Sequence, residues 1–298
     1  MAHDLRNKLV VGVSSRALFD LEEENRIFVE KGLDAYEAYQ IAHENDILKP
    51  GTAFPLIRAL QNLNLGEEKL TELIVMSKNS ANTSLRVFNS IEHYKLDISR
   101  AALVGGASIS PYLSSFKTDL FLSADEKDVQ EAVNAGIAAG LICTHEGFPI
   151  DPEQEISQIR IAFDGDAVIF SDESEKIFQE KGLEAFTEHE RENAKNPLPE
   201  GPFAKLLKTL SVVQKQFDET EMPIRTALVT ARNAPAHERV IRTLRAWDVR
   251  INEAFFLGGI EKSEVLKSFG AHIFFDDQTV HTEPASKKVP SARVPYKK

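Results

Sequence analysis

Ile161-Ala-Phe-Asp-Gly-Asp-Ala-Val-Ile169 contains a short apolar run that ends at two carboxylates, and it opens a series of strand and helix patterns in the second half of the chain. Strands are predicted at residues 160–163, 225–229, 254–257 and 272–275, with helical patterns between them. Apolar strands separated by helices are typical of a parallel sheet that is covered on both faces. The second half is therefore predicted to be an α/β domain of three layers.

The first half repeats this pattern about 150 residues earlier. Between positions 27–35 and positions 177–185 seven residues are identical, from Ile27 and Ile177 to Ala35 and Ala185. Strands are predicted at residues 8–13, 72–76, 101–104 and 119–122, followed by a helix at 127–141. One alternative is two unrelated α/β segments that share this patterning. We favour an internal duplication, which predicts two related Rossmann-like domains, each with a three-layer parallel sheet.

The two predicted domains meet near residue 145. One glycine and two prolines in residues 145–152 are typical of a linker. We therefore assign residues 1–145 to the first domain and residues 146–298 to the second.

Between Asp166 and Thr230 lie 63 residues, which is more than one crossover helix needs. The excess, at about residues 170–205, predicts a small helical cap over the second domain.

The composition excludes several classes of protein. The chain has 298 residues and a formal net charge of −11, so nucleic acids and anionic membrane surfaces would repel it. Its apolar runs are far shorter than the roughly 20 residues that span a bilayer. A single cysteine, Cys143, favours a cytoplasmic location. The basic residues at 287–298 are expected to form a solvated tail, with an interaction arm as the alternative.

Polar residues follow the predicted strands of the second half. Ligands bind at the carboxyl ends of the strands in open parallel sheets. Six side chains are expected there: Asp164, Asp166, Thr230, Lys262, Asp276 and Asp277. Carboxylates at one edge repel each other unless a cation lies among them, and carboxylate oxygens are ligands that Mg²⁺ prefers. We predict a magnesium site made by the four carboxylates, Asp164, Asp166, Asp276 and Asp277.

The same residues supply the parts of a phosphoryl-transfer reaction. A carboxylate can attack phosphorus to form an aspartyl-phosphate, which is the role predicted for Asp164. Asp166 is predicted to protonate the leaving oxygen and then to activate water. Thr230 and Lys262 are predicted to contact the transferring phosphoryl group, and Lys267 is a rival to Lys262.

The order of these residues resembles the four motifs of haloacid-dehalogenase-like phosphohydrolases. A closer likeness, to the AMP-preferring cytosolic 5′-nucleotidase I family, lies in Val13-Ser-Ser-Arg-Ala-Leu-Phe19, Phe163-Asp-Gly-Asp-Ala-Val168, Phe170-Ser-Asp-Glu-Ser-Glu175, Val229-Thr-Ala-Arg232, His272-Ile-Phe-Phe-Asp-Asp-Gln278 and Val294-Pro-Tyr296. The resemblance implies haloacid-dehalogenase-like domains and Mg²⁺-dependent hydrolysis of nucleoside 5′-monophosphates to nucleoside and phosphate. Under this reading the substrate is bound by Thr230, Ala231, Arg232 and Lys262.

Two other functions stay open. One is a phosphatase of the same mechanism that acts on another small phosphate ester. The other is a nucleotide-binding regulatory protein whose first half senses adenylates. A homo-oligomer is a further expectation.

The first half lacks the residues of this chemistry. Aligning the halves puts Ser14 on Asp164, Arg16 on Asp166, Met76 on Thr230, Ile109 on Lys262, Ser123 on Asp276 and Ala124 on Asp277. We therefore predict that residues 1–145 do not catalyse the reaction. Arg16 is a candidate for binding a nucleotide phosphate, of the substrate or of an adenine-nucleotide effector. The alternative is an ion pair between Arg16 and an acid at the domain interface.

Overall fold

Ten strands lie in one mostly parallel sheet in the described part of the chain. The computed structural model describes residues 5, 8–64, 69–143, 150–154, 156–218 and 221–298. The strands are β1 (Leu9–Val13), β2 (Thr71–Ser77), β3 (Arg100–Leu103), β4 (Leu120–Ser123), β5 (Ala138–Ile142), β6 (Ile159–Phe163), β7 (Ile224–Thr230), β8 (Glu253–Phe256), β9 (Ile273–Asp276) and β10 (Ser291–Arg293). Their order is β3-β2-β1-β4-β5-β10-β9-β6-β7-β8. This arrangement confirms the predicted α/β class with a Rossmann-like parallel sheet.

The two halves of the sheet follow the same strand order. In each half the first strand pairs with the second and fourth in parallel, as β1 does with β2 and β4, and β6 with β7 and β9. The halves meet where β5 and β10 pair antiparallel, with Ala292 opposite Ile142. Consequently the strands of both halves form a single continuous sheet, and their carboxyl ends define one edge within each half.

Helices cover both faces of this sheet. In the first half they are α1 (Ser15–Leu18), α2 (Glu22–Lys31), α3 (Leu33–Ala42), α4 (Phe54–Gln61), α5 (Leu85–His93), α6 (Ser110–Ser115) and α7 (Glu126–Asn134). In the second half they are α8 (Glu173–Glu192), α9 (Ala204–Gln214), α10 (His237–Ala246), α11 (Ser263–Phe269) and α12 (Thr279–Ser286). Short 3₁₀ turns span Asn62–Asn64 and Ala81–Thr83, and a π-type turn spans Gly165–Ile169.

Successive side chains of each strand point to opposite faces of the sheet, so each strand packs against both helix layers. Val11 and Val13 of β1 lie in a core that continues through Phe163 and Phe275 of the second half. Val10 points to the opposite face and belongs to a separate cluster of the first half. Because successive side chains of a strand point to opposite faces, runs without polar interruptions are buried on both sides.

The predicted helix at residues 127–141 is wrong in its second part. Helix α7 ends at Asn134, and Gly136 has a φ of 80°, a conformation that glycine adopts easily. Residues 138–142 form β5 between β4 and β10. An apolar run of this length fits a helix or a buried strand, and the long-range pairing decides for the strand.

The expectation of a solvated tail is wrong for residues 291–294, in the middle of the basic segment 287–298. Ser291–Arg293 form β10 inside the sheet, and Ala292 and Val294 are fully buried. The sequence signal for this strand is weak because β10 has only three residues.

Most of the predicted linker at residues 145–152 falls on residues 144–149, outside the described residues. In the described part of the chain, no helix is both long enough and apolar enough to cross a membrane.

Candidate functional site

Three carboxylates meet at the carboxyl ends of two neighbouring strands. Asp164 directly follows β6, Asp276 is the last residue of β9, and Asp277 comes next. One oxygen of each can be chosen so that all lie within 4.8 Å of one another. All three side chains are buried. The pairing of β6 with β9 thus produces the predicted convergence of carboxylates.

Lys262 lies against this cluster. Its Nζ donates hydrogen bonds to Oδ1 of Asp164 at 2.6 Å and to Oδ2 of Asp276 at 2.7 Å. Burial lowers the pKa of Lys262, but the two carboxylates outweigh it and leave the pKa above its ordinary value. The ammonium therefore stays charged. The rival, Lys267, has an exposed side chain on α11.

The carboxylates hold protons more tightly than exposed ones do. Burial raises the pKa of Asp164 to about 6, with Lys262 opposing and Asp276 reinforcing the shift. Burial and the neighbouring Asp164 raise the pKa of Asp277 to about 8. The pKa of Asp276 is also raised by burial, against the effect of Lys262. A divalent cation among these oxygens would reverse the direction of these shifts, and an all-oxygen donor set fits Mg²⁺.

Asp166 is not among the clustered carboxylates. Its Oδ2 accepts a hydrogen bond from Nε of Arg232 at 2.7 Å, and its Oδ1 accepts one from Nη2 at 2.6 Å. This two-pronged pair is the strong geometry for a guanidinium and a carboxylate. The structure therefore brings three of the four predicted metal ligands together and joins the fourth to a predicted substrate-binding residue.

Arg232 continues into a buried ionic network with helix α8. Its Nη1 donates to Glu190, which is fully buried and also accepts from Ser174 Oγ at 2.8 Å and from Arg239 Nη1 at 2.9 Å. Burial raises the pKa of Glu190, but Arg232, Ser174 and Arg239 outweigh it and lower the pKa overall. The guanidinium of Arg232 also lies 5.4 Å from the ring centre of Phe186. This network links the strand edge to α8.

Thr230 ends β7 beside the cluster. It is buried, and its Oγ1 accepts a hydrogen bond from the backbone N–H of Arg232 at 3.3 Å. A Cβ added at Gly165 would lie 3.4 Å from that oxygen, which is an ordinary van der Waals distance. Ala231 is exposed at the same strand end.

The strand register corrects the alignment of the halves at Thr230. Val13 lies opposite Val75, and Phe163 lies opposite Leu228. Two residues further on, the matched positions are Ser77 and Thr230, rather than Met76 and Thr230. The backbone N–H of Asn79 donates to Ser77 Oγ at 3.1 Å, as Arg232 does to Thr230. The first half thus keeps a hydroxyl where we expected none.

Arg16 lies in an exposed ion pair with Glu22. Its Nε and Nη2 each donate to a carboxylate oxygen of Glu22 at 2.9 Å. Both residues belong to the first half, so this acid does not lie across the predicted domain boundary. Arg16 also lines a cavity of about 590 Å³ with Lys298 and residues of α7, and none of the clustered carboxylates lines this cavity.

Sequence reasoning assigned no role to several residues around the cluster. The hydroxyl of Tyr296 donates to Oδ2 of Asp277, and burial and Asp277 raise the pKa of Tyr296, so the donor stays protonated. Burial, with help from Asp166 and Asp164, raises the pKa of Glu175. The sequence points to Tyr296 only through the family motif Val294-Pro-Tyr296. No local sequence pattern singles out Glu190 or Arg239 as a site residue.

Comparisons with known proteins agree with the resemblance. The model of the family described as 5′-nucleotidase matches residues 1–298, so the chain belongs to the 5′-nucleotidase family. It is 39% identical to human cytosolic 5′-nucleotidase 1B over 95% of its own length, and it spans about half, 48%, of that relative. This similarity confirms the likeness to cytosolic 5′-nucleotidase I. A solved structure of a Pnkp1/Rnl/Hen1 complex matches at 14% identity and a TM-score of 0.33, covering 100% of both chains.

Proposed function

We propose that the chain hydrolyses nucleoside 5′-monophosphates, AMP or a related one, to nucleoside and inorganic phosphate. The observation that carries this proposal is the buried contact of Asp164 and Asp276 with Lys262 at the edge of the sheet. Membership of the 5′-nucleotidase family and the name of the human relative support the substrate class. Anionic carboxylates alone would repel a phosphate, so a site of this kind needs cations.

Asp164 is the proposed nucleophile. One of its carboxylate oxygens attacks phosphorus, the bond from phosphorus to the 5′ oxygen breaks, and an aspartyl-phosphate forms on Asp164. Lys262 and the Thr230 hydroxyl contact the phosphoryl oxygens, where negative charge is spread in the transition state. Two observations support these roles: Oδ1 of Asp164 accepts a hydrogen bond from Lys262, and β6, which Asp164 follows, pairs with β7, which ends at Thr230.

Asp166 is the proposed acid and base. It donates a proton to the departing 5′ oxygen of the nucleoside, then removes a proton from water as that water attacks phosphorus. The second step releases phosphate and restores the Asp164 carboxylate. Because Asp166 is paired with Arg232, this pair has to loosen when substrate enters. Arg232 and Ala231 are proposed to contact the substrate as the pair opens.

Mg²⁺ is the proposed cofactor. The residues that would hold it are Asp164, Asp276 and Asp277, whose oxygens lie within 4.8 Å of one another. The cation would neutralise charge on the phosphate and on these carboxylates. Asp166 joins this set only if its pair with Arg232 opens, so we propose it as a ligand of the substrate-bound state.

Helix α8 and its flanks are the proposed cap. The helix kinks at Gly182, where φ is 81°, and it contacts the site through Glu190 and Arg232. Caps of this kind exclude water and select the leaving group. A movement of α8 would change the contact of Glu190 with Arg232, and through it the freedom of Asp166.

The two halves are proposed to be haloacid-dehalogenase-like domains, residues 1–145 and 146–298, that arose by internal duplication. Their matching strand orders and their matching positive-φ glycines, Gly32 and Gly182, support this origin. The first half is proposed to be inactive. The name of the human relative supports a cytosolic location. Phosphate binding by Arg16, an adenine-nucleotide effector and a homo-oligomer stay predictions.

Phosphate release from a panel of ribo- and deoxyribonucleoside 5′-monophosphates and sugar phosphates tests the proposal. We expect release concentrated on AMP or a related monophosphate, present with Mg²⁺ and absent with EDTA or in Asp164→Asn. Preference for sugar phosphates would keep the mechanism and reject the substrate class. No release from any ester, with nucleotide binding intact, would favour the regulatory protein instead.

A further inference from the structure

A helical hairpin in the first half is anchored almost entirely by polar residues. Helices α2 and α3 are joined at Gly32, and the single buried residue of each helix is Glu24 and Gln40, respectively. Apolar side chains of the hairpin are exposed instead, among them Val29 at 72% and Leu33 at 57%. Opening the hairpin therefore exposes little additional apolar surface to water, so the free energy of opening is low.

The anchor at Gln40 is incomplete. Nε2 of Gln40 donates to the Tyr36 hydroxyl at 3.0 Å, and that hydroxyl donates to Oδ1 of Asn79 at 3.1 Å. Oε1 of Gln40 and Nδ2 of Asn79 are buried and have no hydrogen-bond partner in the described part of the chain. Reversing both amides would again leave one donor and one acceptor unpaired. One neutral acceptor and one neutral donor therefore flank the same hydroxyl.

The corresponding positions of the second half are fully paired. Counted from Gly32 and Gly182, Gln40 corresponds to Glu190, and counted from the strand register, Asn79 corresponds to Arg232. Glu190 and Arg232 bond directly to each other. In the first half Arg86 forms a buried ion pair with Glu24, so these two charges are balanced without Gln40 and Asn79.

Two unpaired amide groups are costly in a half that serves only as a scaffold. A buried polar group without a partner destabilises the folded state, and such groups are rare in native proteins. An apolar pair at these positions would avoid that cost. The presence of an unpaired acceptor and an unpaired donor under a weakly anchored hairpin points to a ligand that supplies both missing partners.

From this arrangement we infer that the first half binds a nucleoside through the edge of its base, beneath the hairpin of α2 and α3. The free acceptor of Gln40 and the free donor of Asn79 complement the amino donor and the ring-nitrogen acceptor at the edge of adenine. The ligand is neutral because Ile109 stands where the second half has Lys262, and Arg16 is held by Glu22. The choice of a nucleoside rests on the proposed function, since a nucleoside is the product of that reaction.

Hydrogen exchange followed by mass spectrometry tests this site in the full chain, with adenosine as the probe. At ten times the dissociation constant, adenosine should slow exchange of residues 22–42 about tenfold. Gln40→Leu and Asn79→Leu should each abolish that slowing, and Glu30→Gln on the exposed side of the hairpin should retain it. Exchange of residues 173–192 reports separately on nucleoside bound at the candidate active site.

Three outcomes would overturn the inference. The first is unchanged exchange of residues 22–42 at millimolar adenosine, as expected when a buried water pairs the two amides. The second is slowing that persists in both leucine variants. The third is equal slowing by ribose 5-phosphate, which has no base and would indicate an anion site at Arg16. Because no turnover is needed, failure of phosphate release leaves this test intact.

Discussion

The hydroxyl of Tyr296 donates a hydrogen bond to Oδ2 of Asp277, so the end of the chain reaches into the carboxylate cluster. The same segment is held by the first half. The backbone carbonyl of Tyr296 accepts from Nε2 of Gln130 on α7 at 2.9 Å, and Arg293 pairs with Glu126 at 2.6 Å. The first half, which lacks the clustered carboxylates, thus supports one of them, Asp277, through the C-terminal segment.

We predict that Tyr296→Phe weakens Mg²⁺ binding by about 10-fold to 100-fold. Loss of a residue that orients a metal ligand has this typical effect, because the ligand is no longer held in one orientation. Calorimetric titration with Mg²⁺ in the absence of substrate measures the change. Tyr112→Phe is the control, since Tyr112 is a half-exposed tyrosine on α6. Equal affinity in Tyr296→Phe and the wild type would contradict the prediction.

Asp166→Asn should slow hydrolysis most for substrates with poor leaving groups. Loss of a general acid costs about 10²- to 10⁴-fold when the leaving oxygen needs a proton. The loss should be smaller with p-nitrophenyl phosphate, whose leaving group departs as an anion. Asp164→Asn removes the proposed nucleophile and should abolish turnover of both substrates. Equal losses for both substrates in Asp166→Asn would contradict the role of Asp166 as the general acid.

Glu190→Gln should lower the free energy of unfolding by about 3 kcal/mol. Glu190 is fully buried between Arg232 and Arg239, and removing one charge leaves two buried guanidinium groups without their full partner. Urea unfolding at neutral pH measures the difference. Glu192→Gln, at an exposed position on the same helix, should change stability by less than about 0.5 kcal/mol.

His272 should make the fold sensitive to mild acid. Burial and Arg160 lower the pKa of His272 to about 4, and its Nδ1 accepts the backbone N–H of Arg160 at 2.9 Å. In the unfolded chain His272 binds a proton near pH 6.5, which is a higher pH than the one at which it is protonated in the folded chain. This contribution to stability is therefore complete above about pH 6.5 and is lost as pH falls through 4.

His272→Asn removes the titration and keeps an acceptor for Arg160. Urea unfolding between pH 7 and 4 should show a flatter profile for this variant than for the wild type. His93→Asn, which changes an exposed histidine, is the control. An unchanged pH profile in His272→Asn would mean that other groups cause the acid sensitivity.

The local pattern of the chain determined the sheet and most of the carboxylate cluster. Apolar runs that end at Asp164 and Asp276 predict parallel strands, and parallel strands bring their carboxyl ends to one edge. Lys262 was predictable for the same reason, since it follows β8 and its glycine turn. Polar side chains at strand ends can be predicted from the sequence, because the topology of the sheet brings them together without the need for long-range side-chain contacts.

Only the tertiary structure decided the contacts made across the sheet and between the halves. The three-residue strand β10 has almost no local signal, yet pairing with β5 and β9 places it at the centre. Asp166 turns to Arg232 because a buried guanidinium lies beside it, which spacing along the chain cannot reveal. Tyr296 reaches Asp277 for a similar reason. Such contacts depend on which residues, distant in sequence, share a buried volume, and the strand and helix periods of the sequence do not encode that.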